Sequence, residues 1–346
     1  MRKGIIFLVL LFLLACPVSA MDFTAPPAPD DVQDLMPAET QSFSEGLWEI
    51  VKSAISKLAP NIATGAGSCL SLIAVVILVS LLNAMPGASK RAVHLVSTLA
   101  LAAILLGQAN TMVNLCAQTV SKISDYTKLL LPVMTAALAA QGGVTGASAL
   151  YAGTAAFNAV LSALISKLLV PMVYIFIALG VSVSATGEDL LKKIRDFVKW
   201  LMSWSLKTIL YIFTGYLGIT GVITGTVDAT AVKAAKLTIS GVVPVVGGIL
   251  SDASEAVILG AGVMKNAAGI YGLLVVIAIW ITPFLQLGVQ YLLLKLTAAL
   301  CSVFGVKEAS GLIDDFSTAM GLLLAMTGAV SFLMLISTIC FMKGMG

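Results

Sequence analysis

Charge is what this sequence has least of. Only 11% of its 346 residues are Asp, Glu, Lys or Arg, against about 25% in ordinary soluble domains, which excludes a globular core wrapped in a charged shell. It has one histidine, His94, and this removes His-based metal sites and Ser/His/Asp arrangements. The cysteines Cys16, Cys69, Cys116, Cys301 and Cys340 stand singly, without Cys-x-x-Cys spacing, so neither a disulfide framework nor a thiolate metal site is indicated. There is no Gly-rich phosphate loop ending in Lys-Ser/Thr, no pair of catalytic carboxylates and no base beside a serine. An enzyme therefore has no residues to rest on, and no cofactor is expected. The small net charge of +3, with basic residues in short scattered clusters, gives no footprint for nucleic acid.

What the chain has is apolar length. Hydrophobic residues make up 59% of it and the mean hydropathy is +1.03, which predicts an all-α polytopic membrane protein. Residues 1–20 read as a cleaved signal peptide: Arg2 and Lys3 precede the apolar run Ile5 to Leu14, and Val18-Ser19-Ala20 offers small residues to a signal peptidase. An uncleaved anchor, or a lipid on Cys16 after Leu13-Leu14-Ala15, are the alternatives. Residues 21–43, with four prolines and the acids Asp22, Asp30, Asp31, Asp34 and Glu39, read as a disordered acidic extracytoplasmic linker. Over 44–62 the apolar residues Leu47, Ile50, Val51, Ala54, Ile55 and Leu58 recur at helical spacing. That predicts an amphipathic helix lying on the membrane, on a partner or on the protein itself.

The transmembrane domain follows over 63–346. Full spans are expected at Gly67 to Met85, Ala92 to Val113, Leu164 to Val183, Thr208 to Val227, Ala267 to Leu294 and Phe316 to Met342, about six in all. Asn114 to Lys128 reads as a polar outer loop. Leu129 to Ala140 and Ala147 to Ala163, separated by the break at Gly142 and Gly143, read as a re-entrant or tilted hairpin, with small residues for close packing or for lining a passage. Pro171 and Pro283 predict kinks. Glu188 to Trp200 reads as a basic cytoplasmic interfacial helix: Lys192, Lys193, Arg195 and Lys199 supply the charge, as a topology anchor or a docking face for a cytoplasmic partner. Lys90 and Arg91 in a short turn favour the same side. Gly215, Gly218, Gly221 and Gly225 offer a flat helix face for a subunit contact.

The most unusual stretch is Leu237 to Gly262. It is apolar, yet Gly241, Pro244, Gly247 and Gly248 interrupt it, and Asp252 and Glu255 follow on one helix face. Backbone freed at such a break must be buried in protein or line a water-filled cavity, so these residues, with Gly142 and Gly143, are the candidates for a pore, a gate or a packing centre. Ser251, Asp252 and Glu255 also suit a helix N-terminus, which is the alternative reading of the two acids.

The run Ser240-Gly241-Val242-Val243-Pro244-Val245-Val246-Gly247-Gly248, continued by Ser251-Asp252-Ala253-Ser254-Glu255-Ala256, resembles the signature region of the stage III sporulation protein AE family. The signal-like N-terminus, Leu131-Pro132-Val133 leading to Gly142-Gly143, and the apolar spans extend the resemblance over most of the chain. It implies an integral membrane component of a channel or secretion-like complex that joins mother cell and forespore and is required for late forespore gene expression. The implied partners are other membrane subunits of the stage III complex, a cytoplasmic secretion-type ATPase and extracytoplasmic ring proteins, within the lipid bilayer of the mother-cell membrane around the forespore. From the residues alone, a stand-alone small-solute permease and a non-conducting membrane scaffold stay open.

Overall fold

A computed structural model describes residues 25–37, 43–85, 89–140, 144–223 and 267–344. The signal segment 1–20, the turn at Gly142 and Gly143, and the broken stretch from Leu237 to Gly262 lie outside the described residues. Apart from a 3-10 helix at Asp30–Leu35, the described chain forms long helices: α1 (Phe43–Ala84), α2 (Lys90–Ala140), α3 (Val144–Leu164), α4 (Val170–Thr186), α5 (Asp189–Ile223), α6 (Ala267–Val303) and α7 (Lys307–Gly344). A single π-helical turn, Ile165–Leu169, joins α3 to α4 into one column. Its position follows from Pro171, which has no N–H for the carbonyl of Lys167. The Val170 N–H donates to the Ile165 carbonyl, five residues back, so the kink expected at the proline is absorbed one turn earlier as a π-bulge.

Several elements are longer than the sequence suggests. Asn114 to Lys128 is not a loop but the middle of the 51-residue α2. Its buried residues Cys116, Val120 and Ile123 recur at intervals of three and four, so one face of the helix turns inward and takes Thr119, Ser124 and Thr127 with it, while Asn114, Gln118, Lys122, Asp125 and Lys128 stay exposed. Leu129 to Ala140 and Ala147 to Ala163 belong to two long columns, the C-terminal end of α2 and the length of α3. The amphipathic helix at 44–62 runs without a break into the first span as α1, through Pro60. The basic segment 188–200 likewise continues into the next span as the 35-residue α5, because nothing between Trp200 and Thr208 is Gly or Pro.

Among the described residues, five helical stretches are long and apolar enough to cross a membrane: Ile62–Ala84, Arg91–Ala140, Val144–Thr186, Gly269–Val303 and Lys307–Lys343. The expected span at Thr208 to Val227 forms the second half of α5, is described as far as Ile223, and is not among the five.

Helices α6 and α7 form an antiparallel hairpin at the centre. Ser310 Oγ donates to the Ala298 carbonyl at 2.8 Å and Ser317 Oγ to the Tyr291 carbonyl at 3.2 Å, and Gly269 at the other end packs against Met342. Both helices are apolar on nearly every side because they are enclosed by the others. Helix α1 runs parallel to α6: Gly65 faces Gln290 and Leu293, and Ser80 Oγ bonds the Phe304 carbonyl at 3.2 Å. Helix α2 runs alongside α7, with Cys116 Sγ 3.7 Å from the Leu323 carbonyl. Inside the bundle Asn158 Nδ2 donates to Ser124 Oγ at 3.2 Å and Thr154 Oγ1 to Ser337 Oγ at 3.1 Å, tying α3 to α2 and α7. The turns α1–α2, α4–α5 and α6–α7 therefore gather at one end of the bundle, called here the basic end. At α4–α5 the reversal is made by Gly187, whose φ of +72° places it in the left-handed region that closes a helix.

Part of the expected linker is ordered at the opposite end. Val32 and Leu35, three apart on the 3-10 helix, are buried, and the Tyr126 hydroxyl donates to the Pro26 carbonyl at 3.2 Å. Asp31 and Lys122 form an ion pair whose side chains are about half exposed. Such pairs contribute little in water, so Lys122→Ala is expected to cost less than about 1 kcal/mol, seen as a near-unchanged thermal midpoint in detergent.

Candidate functional site

The basic end carries the charged residues that the sequence singles out, and the structure divides them. Lys192, Lys193 and Lys199 are exposed on α5. Arg195, on the same helix, turns inward: its side chain is 14% exposed, and Nη1 lies 2.7 Å from Asp315 Oδ2 of α7, itself 13% exposed. Nη2 of the same guanidinium lies 2.8 Å from Asp196 Oδ1. A guanidinium presents several donors in a fixed fork, so one Arg can hold two carboxylates. One turn of the bundle away, Lys295 of α6 lies 2.5 Å from Asp314 of α7. Together these pairs clamp α5, α6 and α7 at one level.

Helix α4 approaches the same point through Gly180. A Cβ there would lie 3.0 Å from Asp315 Oδ2 and 3.2 Å from its Cβ, tighter than ordinary packing, so glycine is what lets the carboxylate sit between α4 and α5. Asp314, Asp315 and Gly180 were invisible as a site in the sequence. No local motif marks the two acids, and Arg195 is 120 positions from Asp315. The only available hint was one of type: a carboxylate pair at the entry of an apolar helix requires cations from elsewhere.

The outer face of α5 is aromatic as well as basic. The rings of Phe197 and Trp200 stack with centroids 5.8 Å apart, and those of Trp200 and Trp204 with centroids 6.0 Å apart. All three side chains are exposed, as are Leu190 and Ile194 on the same face. Lysines beside stacked aromatic rings suit a membrane headgroup region or an acidic, partly apolar protein surface. The arrangement offers binding and positioning chemistry. Among the described residues, nothing lies within 4 Å of an added Cβ at Gly215 or Gly218 on the glycine face of α5.

Gly241, Pro244, Gly247, Gly248, Asp252 and Glu255, with Gly142 and Gly143, lie outside the described residues. They stand as sequence candidates.

Comparison with known proteins follows the same lines. The family model for Stage III sporulation protein AE matches residues 31–346. A relative with that name from Bacillus subtilis (strain 168) is 21% identical over 234 residues, which cover 68% of this chain and 59% of the relative. The match thus spans about three-fifths of the relative's length. No solved structure matches the chain. With the family model covering nearly all of the described bundle, this multi-pass, helical membrane protein belongs to the stage III sporulation protein AE family.

Proposed function

We propose that the chain is an integral, non-enzymatic subunit of a channel or secretion-like complex that connects mother cell and forespore during sporulation. It sits in the mother-cell membrane around the forespore, and late forespore gene expression depends on it. Its partners in this reading are other membrane subunits, a cytoplasmic secretion-type ATPase and extracytoplasmic ring proteins. The observation that carries the reading is the gathering of Lys90, Arg91, Lys192, Lys193 and Lys199 at one end of the bundle, in a chain that belongs to a sporulation family. Short basic turns are retained in the cytoplasm. The basic end would then face the mother-cell cytoplasm, where an ATPase could dock, and the acidic N-terminal segment would face the space between the two membranes.

Removing the gene should block sporulation after engulfment and abolish a reporter of late forespore transcription, and the tagged chain should co-purify with the ATPase from sporulating membranes. Replacing Lys192, Lys193 and Lys199 together by glutamate should lower ATPase recovery about tenfold or more, the loss expected when several rim charges are reversed, while the chain remains in the membrane. Normal late forespore transcription without the chain would defeat the reading. So would transport of a defined solute by the purified chain alone, which is the behaviour of a permease.

A further inference from the structure

The central hairpin is apolar over its shared length: neither helix carries Asp, Glu, Lys or Arg between Ala267 and Leu294 or between Phe316 and Met342. Yet of four enclosed side-chain polar atoms without a hydrogen-bond partner among the described residues, three belong to it: Trp280 Nε1 and Thr282 Oγ1 on α6, and Ser331 Oγ on α7. The hydroxyls around them are satisfied locally. Thr297 of α6 and Thr327, Ser337 and Thr338 of α7 each donate to a carbonyl three or four residues back. Thr282 and Ser331 make no such bond.

The register of the hairpin brings Trp280 and Ser331 face to face. Gly269 of α6 packs on Met342 of α7. Eleven residues along each helix from that contact, three turns at 3.6 residues per turn, stand Trp280 and Ser331. Eleven residues further along α6, Tyr291 packs on Gly321 of α7, so the line of α6 that carries Trp280 meets α7 on both sides of it. An indole N–H donates and a hydroxyl can accept, but these two do not bond each other. There is room between the helices at this level. Gly328 stands two turns from Gly321 on the same side of α7 and is buried, and among the described residues an added Cβ there meets nothing within 4 Å. Pro283 contributes a further acceptor, because it has no N–H for the carbonyl of Ile279, the residue before Trp280.

A buried polar group without a partner carries a desolvation cost. Enclosed water relieves it by bonding about three such groups at once, and proline turns in membrane helices are satisfied in the same way, by ordered water and side-chain hydroxyls. We propose that the Pro283 turn of α6 and the facing turn of α7 at Gly328 and Ser331 form a site for ordered water inside the central hairpin. Water there accepts from the Trp280 N–H and donates to the Ser331 hydroxyl and the Ile279 carbonyl, and the Thr282 hydroxyl supplies a further donor on the same turn. An N–H aimed into the site disfavours a cation, and neither helix has a cationic side chain over this length to hold an anion. The site therefore takes a small uncharged molecule that both donates and accepts hydrogen bonds.

The test uses the full chain purified in detergent. With Trp48, Trp200 and Trp204, all exposed, replaced by Phe, ultraviolet resonance Raman reads the Trp280 indole alone, and its N–H band should be that of a hydrogen-bonded indole. An unbonded band would overturn the proposal. In the otherwise native chain, Ser331→Ala and Thr282→Val should each lower the thermal midpoint, since each removes a satisfied hydroxyl. A rise in the midpoint would overturn the proposal, because deleting an unpaired buried hydroxyl lifts a desolvation cost. Water is told from a protein partner by hydroxyl-radical footprinting with an X-ray pulse, which forms radicals from enclosed water. Trp280, 6% exposed, should be modified faster than Met342 and Met320 of the same hairpin, 5% and 1% exposed. A bonded indole modified no faster than those methionines would be held by protein, and the water site would be lost. The Raman and footprinting measurements leave the site unaltered, so the proposal stays testable if a variant fails to fold.

Discussion

Asp315→Ala should destabilise the protein by about 3–5 kcal/mol, the cost of leaving a largely buried charge without its partner. Arg195 is 14% exposed and points into the bundle, with Asp315 at 2.7 Å. Removal of that carboxylate leaves the guanidinium between α4, α5 and α7 with only Asp196, whose side chain is 56% exposed. Solvent screens that remaining pair, and exposed pairs are worth about 1 kcal/mol or less. In purified protein the change should appear as a large fall in thermal midpoint in detergent, and in cells as loss of the chain from the membrane. The double variant Arg195→Leu with Asp315→Leu should recover most of the loss, because two apolar side chains of similar volume remove both desolvation costs. A single variant as stable as the wild type would mean that α5 and α7 are not held together by this pair. Gly180 gives an independent check on the same point. Gly180→Leu would drive a side chain onto Asp315, and it should be destabilising by a mechanism that Arg195→Leu does not relieve.

Gly153→Ala should cost about 1–3 kcal/mol through overpacking. A Cβ at this position would lie 2.0 Å from Tyr216 Cε1 and 2.3 Å from Cζ, so α3 and α5 meet with the tyrosine side chain directly against the glycine. The ring has little freedom to retreat. Its hydroxyl donates to the Ala149 carbonyl at 2.5 Å, and Phe157 packs against it and against Phe213, with centroids 5.6 Å and 5.3 Å apart. The measurement is again the thermal midpoint, and the informative comparison is with Gly215→Ala on the opposite partner helix. Among the described residues an added Cβ at Gly215 meets nothing within 4 Å, and replacing a mid-helix glycine by alanine in open space should stabilise by roughly 0.5–1 kcal/mol. Opposite signs at two glycines on neighbouring helices would establish that close approach, not glycine content, decides where the bundle is tight. If Gly153→Ala behaved like Gly215→Ala, the α3–α5 contact would be wrong.

Gly146, Ala149, Gly153, Ala156 and Ala159 are the small residues that suit close packing in α3, and only some of them serve it. Gly146 and Gly153 are buried, whereas Ala156 and Ala159 are exposed. Small residues at helical spacing state that helices could approach, without saying on which side of the wheel another helix lies. The polar segment Asn114 to Lys128 was misplaced for a related reason. Composition over a window of polar residues argues for a loop, but the period of its buried residues is helical, and the period wins once α7 supplies an apolar wall for them. The expected disorder near the N-terminus failed at Val32 and Leu35, where a short apolar pair in an acidic stretch finds a hydrophobic surface between distant helices.

The sequence by itself determined the solvent class, the helical content and the family. A chain with 59% hydrophobic and 11% charged residues has no stable form that leaves its backbone exposed to lipid, so long helices follow from hydrogen-bond satisfaction alone. The positions of its basic turns are likewise local facts. Only the tertiary structure decided which apolar residues are enclosed and which face outward, and hence the depth of each helix against its neighbours. It also decided that Arg195 turns in while Lys192, Lys193 and Lys199 turn out. The physical reason is that hydropathy is blind to direction. An apolar helix at the centre of a bundle and one in contact with lipid have the same composition, and the partner of a buried charge can lie 120 residues away, where no local pattern records it.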